Sequence, residues 1–403
     1  MYLTIMRPEL AASVATFSGG LSVLSSQQSG LNRTVLIIKA SKESILTAKL
    51  EGEFQFYLAP AQISGQPCMA VVTAFFDNAD SPLTILSPLI AGERLPEALE
   101  KLPNAFDVCF FDEHNREVFA CNAYAELSAF RAALQSCAKA ARSDGVELMQ
   151  RAHEWFAWRS DDDDCRAIPV KLSDTLLPVD LVHYNMREDA HGYLGSPGFS
   201  RSTLQRPEPG AQQELDIIML LQRAYTPRQI VHSPVKVADN EELVDIAVAG
   251  THCTLLIQAK DSPNTDQGLR TSLERKQSKS VSQLKGGLSQ VGGAVSCIRR
   301  TTGLELKLAD NEKLDIDLSA RPLVGVVVVK ELFLDKFDIY SDLAIKTMEK
   351  FGLPVVFFDY AEFERMTRYC SSEAKLLSAF DQILSVAIET GHYPRLSFDT
   401  SQA

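Results

Sequence analysis

The sequence predicts an α/β protein in two parts, an α+β half followed by a mixed sheet flanked by helices. Three observations lead there. Residues 242–260, ELVDIAVAGTHCTLLIQAK, hold two β-rich runs around Gly250-Thr251. A long amphipathic pattern follows, and after it come two short apolar runs suited to buried strands. Residues 32–125, by contrast, alternate strand-like runs with turn signals before two helical patterns. A chain of 403 residues has room for two separate cores.

In the first half, Thr34–Ile38, Phe54–Leu58, Met69–Phe76, Val108–Phe111 and Val118–Cys121 read as strands, the last two as a hairpin across Asp112–Arg116. Glu126–Arg142 and Gly145–Trp158 read as helices, the second ending in Trp155, Phe156 and Trp158, aromatics whose helical spacing suits packing. The Asp161–Asp164 run reads as a solvated linker, and His183–Gly210, rich in Gly, Pro and charge, as a long connection. The expected organisation is therefore an α+β domain over 1–160, a loop-rich connection over 161–210 and an α/β domain over 211–403. Residues 1–160 carry no motif that assigns a role beyond contact with substrate or a partner protein.

The second half opens with a helix over Ala211–Ala224, apolar nearly all round from Leu215 to Leu221 and so expected to be buried. Glu214 lies at its start, on the face of Ile218 and Leu221. Strands then span Leu243–Ala249 and Cys253–Ala259. A two-residue loop at Gly250-Thr251 would set Asp245 opposite Leu256, diagonal to Gln258 and on the face of Lys260. A three-residue loop would reverse that parity. Val281, Leu284, Leu288, Val291, Val295 and Ile298 follow a 3-4-3-4 spacing, the mark of an amphipathic helix. Gln283 and Gln290 sit two turns apart on its flank, with Lys276 and Lys279 continuing the stripe. Gly286-Gly287 and Gly292-Gly293 are expected to permit close helix packing. A hairpin over Leu304–Leu308 and Leu314–Leu318 precedes strands at Pro322–Val329 and Pro354–Asp359, which the helical stretch Asp342–Lys350 separates.

Asp245, twelve intervening residues, then Gln258-Ala259-Lys260 resembles the PD-(D/E)xK nuclease signature, in the QxK variant typical of Mrr-like restriction endonucleases. The apolar run Leu255-Leu256-Ile257 ending in Gln-Ala-Lys is similar to the strand of that group, and the order helix, hairpin, helix, strand, helix, strand is the superfamily's. The resemblance covers roughly the second half of the chain and implies a restriction-endonuclease-like fold there. It implies a DNA endonuclease, with Mg²⁺ (Mn²⁺ able to substitute) held by Asp245, Gln258 and Glu214 and with Lys260 completing the catalytic set. It also implies restriction or defence against foreign DNA. Lys276, Lys279, Gln283 and Lys285 are the expected DNA-binding residues, and a homodimer is compatible with it. The alternative is a catalytically silent nuclease-like module that binds DNA or protein, which the neutral Gln258 favours; RNA cleavage is a third reading.

Each residue also has a structural reading. Asp245 suits a strand start, Glu214 a first-turn acid favoured by the helix dipole, and Gln283 and Gln290 a solvated face. Composition bounds the choice. Net charge of −12 argues against a generic nucleic-acid coat, yet from Lys260 to Arg300 eight Lys and Arg face only three acids. The eight cysteines show no C-x-x-C or zinc spacing and read as small buried residues in a reducing compartment. No Walker or dinucleotide motif is present. Arg7, Pro8 and Glu9 precede any long apolar run and no segment has the length of a membrane span, so a cytoplasmic location is expected.

Overall fold

The computed structural model describes residues 3–396 apart from 18, 31, 32, 80 and 302. The expected α/β class holds: mixed sheets flanked by helices. Eight strands make the first sheet: β1 (Gly20–Leu24), β2 (Val35–Lys39), β3 (Glu53–Ile63), β4 (Gln66–Phe75), β5 (Leu83–Pro88), β6 (Ala105–Phe111), β7 (Glu117–Tyr124) and β8 (Ile168–Thr175). Their order is β1-β2-β6-β7-β8-β3-β4-β5. The two ends of that order, β1 and β5, touch, so the sheet curls round its contents. Alternation along β3 explains how both faces are filled. Phe54 and Phe56 enter one core with Ile45 and Leu46 of helix Lys42–Glu51, while Tyr57, Ala59 and Ile63 enter another beneath helix Gly145–Ala157.

The expected boundary at residue 160 moves. Ile168–Thr175 pairs with both β7 and β3 in the middle of the first sheet, and Leu177 still belongs to an N-terminal core. The acidic run is solvent-exposed, as expected, but is not a linker. It forms the short helix Asp161–Arg166, capped by Ser160, with Asp164 bound to Arg159 at 2.8 Å. The connection that follows contains a two-stranded ribbon, β9 (Val182–Asn185) and β10 (Ser200–Thr203).

The second sheet has the order β11-β13-β14-β17-β18, with β11 (Ile230–His232), β13 (Ile246–Ala249), β14 (Thr254–Lys260), β17 (Leu323–Val329) and β18 (Val355–Asp359). The first three strands are antiparallel neighbours, and β14, β17 and β18 run parallel. Parallel strands need both faces covered, and here the apolar runs of β17 and β18 lie between helices. The buried helix Gly210–Leu221 and the terminal helices cover the sheet, as does a 28-residue helix, Leu273–Arg300. The expected hairpin insertion forms β15 (Leu306–Lys307) and β16 (Lys313–Leu314), joined to β12 (Val235–Lys236) in a small separate sheet.

The long helix sits close because two of its glycines allow it. A Cβ at Gly287 would lie 2.6 Å from Val327 Cγ1, and one at Gly292 would strike the Phe351 ring; Gly286 and Gly293 face open space. The glycine pairs thus divide into one packing and one solvent-side member each.

Apolar cores stop at the border between the halves. The C-terminal core begins at Tyr193, and among the described residues Leu204, Leu269 and the partly buried Leu181 reach from beyond residue 177 into the N-terminal cores. Charge fills the gap. Arg116 holds Asp112 at 2.9 Å and Asp216 at 2.7 Å, while Lys42 lies 3.6 Å from each carboxylate. Burial opposes ionisation of Asp216, but Arg116 and Lys42 outweigh it and hold the carboxyl well below its ordinary value. Burial, with Asp112 next, pushes the neighbouring Glu113 up to about 8. His114, its nitrogen 2.5 Å from the Tyr360 hydroxyl, is driven by burial down to about 4. The cysteines are all free; Cys68, Cys109, Cys121 and Cys253 are buried as expected, but Cys165 is exposed. Among the described residues, no helix is long and apolar enough to cross a membrane.

The close helix seat makes a paired prediction. Gly292→Ala should destabilise the chain by about 1–3 kcal/mol through overpacking against Phe351. Gly293→Ala, in open space, should stabilise it by up to about 1 kcal/mol through helix propensity. Urea unfolding followed by circular dichroism checks both signs.

Candidate active site

The site is built on β13 and β14, and its register differs from expectation. Ile246 pairs with Ile257 and Ala249 with Thr254, so the connection is four residues long rather than two. The reason lies far along the chain. Glu373, in the first turn of the last long helix, accepts the N–H groups of Thr251 (2.9 Å) and His252 (2.8 Å) and pins the wider turn. Two extra residues keep the side-chain parity, so Asp245 stays on the face of Gln258 and Lys260. They also shift it by one pleat. Asp245 now falls opposite Gln258 instead of Leu256, and the Gln258 amide donates directly to Asp245 Oδ1.

Asp245 is buried and well held. Its Oδ2 accepts the Ala259 N–H at 2.7 Å, and its backbone carbonyl accepts from Ser233. Burial pushes its carboxyl up to about 6; the Ala259 bond and Lys260 pull it down, and Glu214 and Glu242 push it up. Glu242 is itself raised, first by burial. Glu214 accepts from or pairs with His232 Nε2 at 2.9 Å, and His232 stands opposite Ile246 in the sheet. The four expected catalytic residues therefore share one electrostatic neighbourhood, but only Asp245 and Gln258 touch.

A cleft of about 670 Å³ opens over this pair. Glu242, Asp245 and Gln258 form its sheet side, and Gln290, Cys297 and Arg300 of the long helix its other wall. Glu214 and Lys260 do not line it. The Lys260 stem lies beside Gly287, and its ammonium makes no hydrogen bond or ion pair among the described residues.

The expected DNA-binding residues part company. Lys276 is bound to Asp77 of the first sheet's half at 2.6 Å, and Gln283 donates to the Asp261 carbonyl (2.7 Å) and Ser262 Oγ (3.0 Å). Lys276 is engaged because the N-terminal half packs against the first turns of the helix, and Gln283 because the segment after β14 folds back beside it. Lys279 and Lys285 are exposed. Glu242 and His232 were not anticipated. An acid three residues before Asp245 and a lone His before Ser-Pro have no periodic signature, since their roles depend on strands meeting in space.

Among the described residues, no three His, Cys, Asp or Glu side chains are gathered as a metal-holding group. Mg²⁺ needs less than such a cage, because it keeps several waters and uses one or two carboxylates. Asp245 offers that. Each oxygen accepts one hydrogen bond and retains a lone pair, and the carboxyl makes no ion pair among the described residues. The donor set fits a water-rich hard cation held by Asp245, with Glu242 and the Gln258 carbonyl oxygen beside it. Comparison with family models, with curated proteins and with solved structures found no match.

The buried carboxyl sets a pH test. The folded-state value of about 6 lies above the usual 3.8, so Asp245 favours folding when protonated and loses that contribution as pH rises through about 6. At pH 7 its ionised form costs about 3 kcal/mol. Asp245→Asn should therefore stabilise the chain by up to about that amount at pH 7, a gain that vanishes below about pH 4. Thermal unfolding across pH measures it. Mg²⁺ should raise the wild-type midpoint at pH 7 and leave Asp245→Asn unmoved.

Proposed function

We propose that the chain is a Mg²⁺-dependent DNA endonuclease. One observation carries the reading: Asp245 and Gln258 face each other across an antiparallel pair at the floor of a cleft walled by the long helix, and Lys260, outside the cleft lining, lies one pleat further on the same face. The element order supports it, with the buried helix bearing Glu214, a three-stranded meander, the long helix, a parallel strand, a helix and a further parallel strand. The PD-(D/E)xK resemblance implies helix, hairpin, helix, strand, helix, strand, to which β11 and the β15–β16 insertion are additions, and restriction or defence in the cytoplasm is the role that goes with it.

The chain's residues divide the work. Asp245 would hold the cation, with Glu242 and the Gln258 oxygen beside it. Bound there, Mg²⁺ supplies polarisation of a phosphate oxygen and of water. Lys260, whose ammonium has no protein partner among the described residues, donates to the phosphate as negative charge builds on it. His232 orients the Glu214 carboxylate toward the same neighbourhood. The exposed Lys279 and Lys285, and Arg300 at the cleft, supply cations for the DNA backbone.

A catalytically silent, DNA- or protein-binding module is the second reading. The direct Gln258–Asp245 contact favours it, because it occupies one carboxylate oxygen with an amide. Cleavage of plasmid and linear DNA with Mg²⁺ or Mn²⁺ separates the two. Lys260→Ala should slow cutting by about 10²-fold or more, and Asp245→Ala should abolish it while folding is retained. Cutting that survives both substitutions would overturn the site, and DNA binding without cutting would favour the silent module.

A further inference from the structure

The first half carries a groove of about 520 Å³ that the Asp245 chemistry does not use. It follows an unpaired strand edge. β3 pairs with β8 only over residues 53–56, whereas its pairing with β4 continues to Ile63. Residues 57–63 therefore have a strand neighbour on one side only, among the described residues. Pro60, Ala61 and Gln62 of that stretch form one wall of the groove, with no β4 residue beside them. A proline is tolerated in a strand where its missing N–H faces an edge. The other wall is the end of helix Gly145–Ala157. Arg151, Glu154 and Trp155, with Trp158 just past the helix, recur at i, i+3, i+4 and i+7 on one face.

The groove has an anchor. Trp158 is 88% exposed, and Trp155, the chain's only other tryptophan, is half-buried beside it. Tryptophan in a groove supplies a large rigid contact and is enriched among the residues that dominate protein interfaces. The neighbouring backbone edge offers N–H and C=O groups that another strand can bond.

Charge names the partner. Between residues 145 and 166, six acids stand against three arginines. Arg151 lies 3.8 Å from both Glu147 and Glu154, Arg159 is held by Asp164 at 2.8 Å, and Arg166 by Asp163 at 2.6 Å. Asp161 and Asp162, just beyond Trp158, are exposed and make no ion pair among the described residues. That surplus repels a phosphate chain and attracts Lys and Arg.

We propose that this groove docks an extended basic segment of a partner protein, which adds a strand to the free edge of β3. Main-chain hydrogen bonds supply affinity, and alternate side chains supply specificity. Arg or Lys on one side of the segment meets the Trp158 indole and the Asp161–Asp162 pair, where a cation over the ring adds to the charge attraction. The inference is independent of the endonuclease reading.

The test is a titration of the full chain with a peptide of strand length, about eight residues, alternating arginine and valine. Both tryptophans wall the groove, so their emission reports its occupation. The peptide should shift that emission saturably below about 1 mM, and more weakly as salt rises. A counterpart with glutamate for arginine, and one with its interior amides methylated, should each bind about tenfold more weakly or worse. Trp158→Ala should weaken binding about tenfold or more, with Trp155 left as reporter. Asp161→Asn combined with Asp162→Asn should weaken it about threefold and flatten the salt dependence. Both positions are exposed, so this second variant keeps the test sound if Trp158→Ala disturbs the helix end. No saturable shift, equal binding of the glutamate or methylated peptide, or binding unmoved by Trp158→Ala would overturn the proposal. A dimer that Trp158→Ala dissolves, or a shift produced by DNA instead of the peptide, would give the groove to another occupant and overturn it as well.

Discussion

The seat of helix Leu273–Arg300 on the parallel pair β14–β17 is the contact on which the rest depends. Parallel strands cannot leave a face wet, and the helix covers theirs at a distance that Gly287 and Gly292 permit. Lying that close, it brings one flank along the sheet's polar edge. Gln290, Cys297 and Arg300 thereby wall the cleft over Asp245, and Lys276, Lys279 and Gln283 wall a pocket near the other half. A helix held further out by side chains at 287 and 292 would define neither cavity.

The junction between the halves follows a different physics. Two apolar cores meet across buried ions, an arrangement in which desolvation consumes much of the Coulombic gain. What the ions supply is geometry. Arg116 bridges Asp112 of one half and Asp216 of the other, and Lys42, at the start of its helix, also donates to Ser202 at 2.7 Å. Each partner would be costly to leave unpaired, so the halves have one way to fit. That fit sets Asp77 against Lys276 and gives the pocket beside them its shape.

Asp245 shows the opposite economy. Its neighbourhood gathers acids around a buried carboxyl whose ionisation costs stability, while Lys260 stands near without an ion pair. A purely structural site would have closed that pair or replaced the acid. An uncompensated anion with an unused ammonium at hand is suited to binding charge from outside, and such sites commonly sacrifice stability.

Much of this was legible in the residues themselves. The 3-4-3-4 spacing from Val281 to Ile298 marked the long helix, the apolar runs at 323–329 and 355–359 marked the buried strands, and strand parity put Asp245, Gln258 and Lys260 on one face. These are local periodicities, and each reports one-sided or complete burial of a single element. Four matters escaped them. Ile168–Thr175 looked like linker because its partners, β3 and β7, lie distant in sequence. The four-residue turn depended on Glu373, 122 residues beyond Thr251. Lys276 and Gln283 looked free for DNA until the N-terminal half and the Asp261–Ser262 segment claimed them. The buried ions between the halves gave no signal at all. Sequence by itself determined which elements form and which face of each is apolar, because those follow from neighbours within a few residues. Only the tertiary structure decided which polar groups are satisfied and which are left for a ligand, because hydrogen bonds and ion pairs are settled by whatever distant residue folding brings within about 3–4 Å.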